Sequence, residues 1–147
     1  MITLDELDIT KCYYLASPFS TPKIPRETKK QRYNTINDIA SVLISRYNLI
    51  LIEPIVMCYE KAKKYNLPQT FDYWATRDKA FIDRCDGGVI VAMMPGWKTS
   101  KGVTAEIQHA KFTGKPIYYL DYILMCDFET ENNPPYELNI LDIDNAR

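Results

Sequence analysis

The sequence predicts an α/β domain: a three-layer sandwich with a mostly parallel sheet of about five strands and helices on both faces. Three observations carry that reading. Strand-like apolar runs alternate with amphipathic helical stretches along most of the chain. The run "GGVIVAM" (87–93) is apolar without alternation, as in a strand covered on both faces. A length of 147 residues suits a single domain, 1–147, with a real core.

The elements follow in order. "KCYYLA" (11–16) reads as a short buried strand. "SPFSTPKIP" (17–25) follows as a loop, because three prolines cannot all sit inside a helix. From 26 to 47 the apolar positions Ile36, Ile39, Ala40, Leu43 and Tyr47 keep helical spacing. "NLILIEP" (48–54) reads as a second buried strand, stopped by Pro54. A weaker helix covers 57–65 and another covers 70–85. The strand 87–93 gives way to a helix over 103–112, with Gly114 as its C-terminal cap residue. "PIYYLD" (116–121) reads as a fourth strand. The segment 122–147 is polar and irregular: a tail, a short extra strand near 137–143, or an arm onto a neighbouring subunit. Strand-helix alternation with right-handed crossovers makes this a Rossmann-like (flavodoxin-like) arrangement, whose ligands collect at the carboxyl edge of the sheet.

Composition excludes several classes of function. Apolar residues make up 46% and charged residues 25%, with a formal net charge of -1. No basic surface dominates, which argues against nonspecific nucleic-acid binding. The basic stretch 23–32 reads as a solvated helix start. No apolar run approaches the roughly 20 residues that span a bilayer. The first residues, "MITLDELDIT", lack the pattern of a signal peptide. The four cysteines are scattered and there is one histidine, so no metal site is expected; free thiols fit a reducing cytoplasm.

Some residues break their local pattern. In "TFDYWATRDKAFIDRC" (70–85), Asp78 falls inside the apolar arc of Phe71, Trp74, Phe81, Ile82 and Cys85. Asp72 and Asp83 point the opposite way and read as solvated. A carboxylate on an apolar stripe is costly unless it is hydrogen-bonded or faces a cavity, and desolvation would raise its pKa, as suits a proton donor. A structural Asp with a satisfied partner is the alternative. In "PGWKTSKGVTAE" (95–106), Ser100 and the Gly102 backbone sit where a helix start offers free N–H groups to an anion. Glu106, near the same positive end, is expected to stay ionised as a nucleophile must. A Glu placed there for the helix dipole alone is the alternative. Tyr14 and Trp97 are the aromatic candidates for stacking on a flat ligand, and Tyr14 could instead donate to a carboxylate. Ser17 and Phe19 leave the first strand at the same edge and are further candidate contacts. His109 reads as a surface or interface residue.

Three stretches in order, "YLASPFS" (14–20), "YWATRDKAFIDRCDGGVIV" (73–91) and "PGWKTSKGVTAEIQHAKFTGKP" (95–116), resemble the nucleoside 2-deoxyribosyltransferase superfamily. The likeness is to its small phage and bacterial branch, with the deoxynucleoside 5′-monophosphate N-glycosidases as relatives, and it covers about 11–121. The resemblance implies Glu106 as nucleophile at the anomeric carbon, Asp78 as the acid for the departing base, and Tyr14 as the residue orienting Glu106. It implies Ser100 at the 5′-phosphate and pairs Asp78 with Asp86, eight residues on. It also implies a nucleoside or nucleotide substrate, no cofactor or metal, and a homodimer or larger homo-oligomer. Phe19 stands where the glycosidases carry an Arg, and Arg26 or Lys23 are candidate replacements. Two competing expectations are a nucleotide sensor without turnover and a ribonucleotide phosphoribohydrolase. The joint presence of Glu106, Asp78 and Tyr14 favours catalysis over the first, and "PGWKTSKG" is less glycine-rich than the second requires.

Overall fold

The computed structural model describes residues 2–19, 29–68, 70–124 and 136–141. In chain order the elements are β1 (Cys12–Ala16), α1 (Lys29–Ser45), β2 (Ile50–Ile52), α2 (Pro54–Lys64), α3 (Phe71–Asp83), β3 (Gly88–Ala92), α4 (Lys101–Phe112), β4 (Ile117–Leu124) and β5 (Tyr136–Leu141). They build one sheet in the order β2-β1-β3-β4-β5. Its first four strands run parallel and β5 returns antiparallel to β4. This is the expected Rossmann-like three-layer α/β fold.

Side chains alternate across a strand, and the alternation divides the core in two. Tyr13 and Leu15 of β1, with Ile90 and Ala92 of β3, pack with Ile36, Ile39, Ala40 and Leu43 of α1. Tyr14 and Ala16, with Val89 and Val91, pack with Ile82 of α3 and with Val103 and Ala110 of α4. One residue of register therefore decides that Tyr14 faces α3 and α4. Every residue of β3 is buried, as its unbroken apolar run predicts.

Backbone chemistry sets the element ends. Gly88 has φ +101°, and a Cβ there would lie 2.2 Å from the Pro116 carbonyl oxygen, so only glycine lets β3 start beside β4. Gly114, with φ +70°, follows the end of α4 as expected.

Several expectations need correction. β2 is an edge strand of three residues with Ile50 about half exposed, because β1 is its one pairing partner among the described residues. An apolar run cannot report which position in a sheet a strand takes. Pro54 does not merely stop β2: it opens α2, since its fixed φ suits a first helical turn. α4 begins at Lys101, two residues earlier than expected, because Ser100 caps it. Arg32 lies in the stretch read as solvated yet is 2% exposed. Of the three readings for the C-terminal stretch, the strand is the one observed: β5 pairs with β4 and places Leu138 and Ile140 in the α1-side core. Lys23, Arg26 and Cys126 lie outside the described residues. Among the described residues, no helix is long and apolar enough to cross a membrane.

Candidate active site

Three elements deliver the site to the carboxyl edge of the parallel strands. The middle of β1 brings Tyr14, and the segment that follows the strand brings Ser17 and Phe19. In α3, Phe71, Trp74 and Asp78 recur at helical spacing and share a face. In α4, Glu106 falls on the buried stripe with Val103 and Ala110. A cavity of about 330 Å³ opens between them, lined by Ser17, Phe19, Trp74, Asp78, Ser100, Gly102 and Glu106 among others. Asp78 therefore faces a cavity, one of the two conditions that make its place on an apolar stripe tolerable.

Two carboxyl groups and one phenol form the centre. Tyr14 is 1% exposed and Glu106 9% exposed. The Tyr14 hydroxyl lies in hydrogen-bonding reach of both Glu106 and Asp78. It carries one proton, so it can donate to only one carboxylate at a time. Asp78 Oδ1 is buried without a hydrogen-bond partner among the described residues, and so is Ser17 Oγ in the same cavity lining. Buried polar atoms are normally paired, so both are places for a ligand's polar groups.

The electrostatics differ from the sequence expectation. Burial pushes the Asp78 carboxyl up to about 6, partly offset by the Tyr14 hydrogen bond and the Arg77 charge. Burial, then the neighbouring Asp78 charge, holds Glu106 well above the usual carboxylate range. Burial and the two carboxylates raise the Tyr14 phenol in turn. Glu106 was expected to be ionised by the helix start, but that field contributes only about 0.3–1 kcal/mol at exposed positions and is outweighed by desolvation. Burial thus favours the protonated form of both carboxyl groups, and Glu106 is the more deeply buried of the two.

The start of α4 forms a polar corner of the cavity. Ser100 is its N-cap, with Oγ accepting from the Val103 N–H at 3.2 Å. That bond uses the oxygen as acceptor and leaves the hydroxyl proton to donate elsewhere. A Cβ on Gly102 would sit 3.6 Å from Glu106 Oε1 and 3.9 Å from Ser100 Oγ, so the missing side chain keeps the cavity open between them. Lys79 and Lys101 also line the cavity, and Lys101 Nζ stands 4.5 Å from the Phe71 ring centroid. Sequence reasoning passed over these lysines. The pairing of Lys101 with a Ser N-cap was the available signal.

The remaining candidates sort cleanly. Trp97 does not line the cavity; it packs on Tyr119, ring centroids 5.7 Å apart, and borders the α3/α4 core. Its loop is pinned by the Trp97 N–H bond to the Met94 carbonyl, which turns the ring onto the core. Tyr14 is too buried to stack on a ligand, and its hydroxyl is turned to the two carboxyl groups. Trp74 and Phe71, read as core in the sequence, are the aromatic groups that line the cavity. His109 bonds Asp83 at 2.7 Å and braces α4 against α3, so neither residue is simply solvated. Asp86 accepts from the Cys12 N–H at 2.8 Å and ties the start of β1 to the turn before β3. Among the described residues, no group of three or more His, Cys, Asp or Glu side chains is placed to hold a metal ion.

Comparison with family models matches residues 11–121 to a family described as a domain of unknown function, DUF1937. The matched span contains every residue placed in the cavity above. No curated protein matches the chain.

Proposed function

The chain belongs to the DUF1937 family, whose description assigns no chemistry, and from the site itself we propose that it cleaves or transfers the N-glycosidic bond of a 2′-deoxynucleoside 5′-monophosphate or deoxynucleoside. The observation that carries the reading is the pair of carboxyl groups, Glu106 and Asp78, joined through one phenol at the wall of one cavity. The corner at Ser100, Gly102 and Lys101 is where a 5′-phosphate sits. The resemblance to the nucleoside 2-deoxyribosyltransferase superfamily supports the same assignment.

The reaction follows from where the protons are. The starting arrangement we assign has the proton on Glu106, the more buried carboxyl group, and Asp78 ionised. Substrate covers Asp78 with its base and desolvates it further, raising its proton affinity. Tyr14 passes its proton to Asp78 as it receives the one from Glu106. Glu106 is now a carboxylate and Asp78 an acid, which is the division of labour that a retaining glycosidase needs. A Glu106 oxygen attacks C1′ as the C1′–N bond breaks, and Asp78 protonates the departing base nitrogen. Water, or a second base, then attacks C1′, releases Glu106 and returns a proton to Asp78. A homodimer or larger homo-oligomer belongs to the same proposal, and light scattering on the purified protein tests it.

The test of the reaction is release of free base, followed by chromatography, from a panel of deoxynucleoside monophosphates, deoxynucleosides and ribonucleotides. Turnover of a deoxy substrate that falls by at least about a thousandfold in Glu106→Gln is the expected result. Tight binding without base release by the wild-type protein would identify a sensor and overturn the proposal.

A further inference from the structure

A second cavity, of about 260 Å³, adjoins the first and shares Phe19, Ile55, Trp74 and Asp78 with it. Its far wall is the face of α2 that carries Ile55, Cys58, Tyr59 and Ala62, residues at spacings of three and four and so on one side of the helix. Ala62 is 9% exposed, and its small side chain helps give the chamber its depth. Tyr59 meets Phe19 edge-on, ring centroids 5.5 Å apart, and stacks on Tyr33 at 4.7 Å, which makes a stiff aromatic wall. Lys29 and Lys63 also line this chamber. Among the described residues, Asp78 is the one carboxylate in the lining.

We infer that this chamber is a subsite for an apolar or aromatic substituent on the substrate's base, so that the preferred substrate is a deoxynucleotide whose base carries such a group. The inference rests on the proposed reading of the first cavity. With phosphate at the start of α4 and C1′ at Glu106, the base lies against Asp78. Its far edge then points past the shared wall toward α2. A plain base presents a polar edge to a wall formed mainly by Phe19, Ile55, Ala62, Trp74 and the ring of Tyr59, and leaves that apolar surface unfilled. An alkyl or aryl group on an exocyclic amine fills the space and leaves those side chains no polar group to desolvate.

The experiment compares 2′-deoxyadenosine and 2′-deoxycytidine 5′-monophosphates, each with and without a benzyl group on the exocyclic amine, by equilibrium binding and by base release. The benzyl forms are expected to bind at least about tenfold tighter than the plain forms, as for a group filling an apolar pocket. Ala62→Leu and Ala62→Trp, which fill the chamber away from the carboxyl groups, are expected to remove that gain and leave the plain nucleotides within about twofold. A readout in the unaltered protein guards against misfolded variants: benzyl nucleotides should slow alkylation of the Cys58 thiol, read by peptide mass, while plain ones should not. Equal binding of plain and benzyl forms, or a benzyl gain that survives Ala62→Trp, would overturn the inference. Binding and alkylation do not depend on cleavage. A benzyl gain without any base release therefore removes the proposed reaction and keeps the subsite, whereas cleavage of plain nucleotides without the gain does the reverse.

Discussion

At the scale of single residues, the site is a problem of one proton distributed over Asp78, Tyr14 and Glu106. The resting form and the reactive form hold the same number of protons and differ in which carboxyl group has the last one. Such a pair titrates as a unit, with two apparent pKa values. Adding a second proton neutralises Asp78 as well and leaves no carboxylate to become the nucleophile. Removing the last one leaves no acid for the base. We therefore expect a bell-shaped dependence of kcat/KM on pH, with its acid limb near the Asp78 value of about 6 and its alkaline limb well above the carboxylate range. In Asp78→Asn the acid limb should shift to the ionisation of Glu106 itself, which the nucleophile then requires, and the residual rate should fall most for bases that need protonation to leave. A pH profile measured between about 4.5 and 9 checks this, and an unchanged acid limb in the variant would exclude Asp78 as its source. The positions of these residues could be read from the sequence: Asp78 is a carboxylate on an apolar stripe, and Glu106 follows a Ser-x-Gly loop close to a helix start, although α4 begins at Lys101 and carries no acidic residue in its first turn. Their protonation could not. It depends on how completely α3, α4 and β1 exclude water from one spot, a tertiary quantity that no local spacing reports.

At the scale of elements, α4 does two things with one residue. Ser100 satisfies a free N–H of the first turn and also faces the cavity, so a loss of function in Ser100→Ala has two possible causes. Loss of the cap alone should cost about 1 kcal/mol of stability. Ser100→Asp separates the two roles, since Asp is an equally good cap but places a negative charge where a phosphate would bind. The alanine variant is expected to lower Tm and raise KM for monophosphates more than for nucleosides. The aspartate variant should restore Tm and raise KM for monophosphates further, by about tenfold or more. Equal KM effects on monophosphates and nucleosides would remove the phosphate from this corner. The same helix shows what was legible. Its C-terminal Gly114 and its buried stripe are written locally, in one residue type and one period. Its start was misplaced by two residues because a Ser cap and a Lys-Gly first turn also read as loop. β2 was harder still: its apolar run matches that of a central strand, and only the pairing order of the whole sheet makes it an edge. Trp97 failed for a related reason. A loop aromatic is directed by the hydrogen bonds of its turn, which the sequence does not display.

For the whole molecule, a site that keeps two carboxyl groups from water costs stability, and the cost depends on pH in a definite direction. In the unfolded chain Asp78 loses its proton near its ordinary 3.8; in the folded chain it holds it until about 6. Across that interval the folded state binds more protons, so stability falls as pH rises, and above 6 the loss is complete and constant. Asp78→Asn removes the charge and should therefore stabilise the fold at pH 7 to 8 by on the order of 2 kcal/mol, with the gain vanishing as pH approaches 4. Glu106→Gln should act in the same direction, its stabilising effect growing as pH rises past the usual carboxylate range, because burial raises the Glu106 carboxyl as well. Thermal unfolding of the two variants and the parent protein at several pH values separates these curves. Two variants that destabilise equally at pH 4 and pH 8 would mean the carboxyl groups hold the structure together and are not kept there against its stability. The expected pattern, a more stable and less active protein in both cases, is what a cavity maintained for chemistry produces, since the α3 and α4 packing that gives the fold its core is also what strips water from the pair.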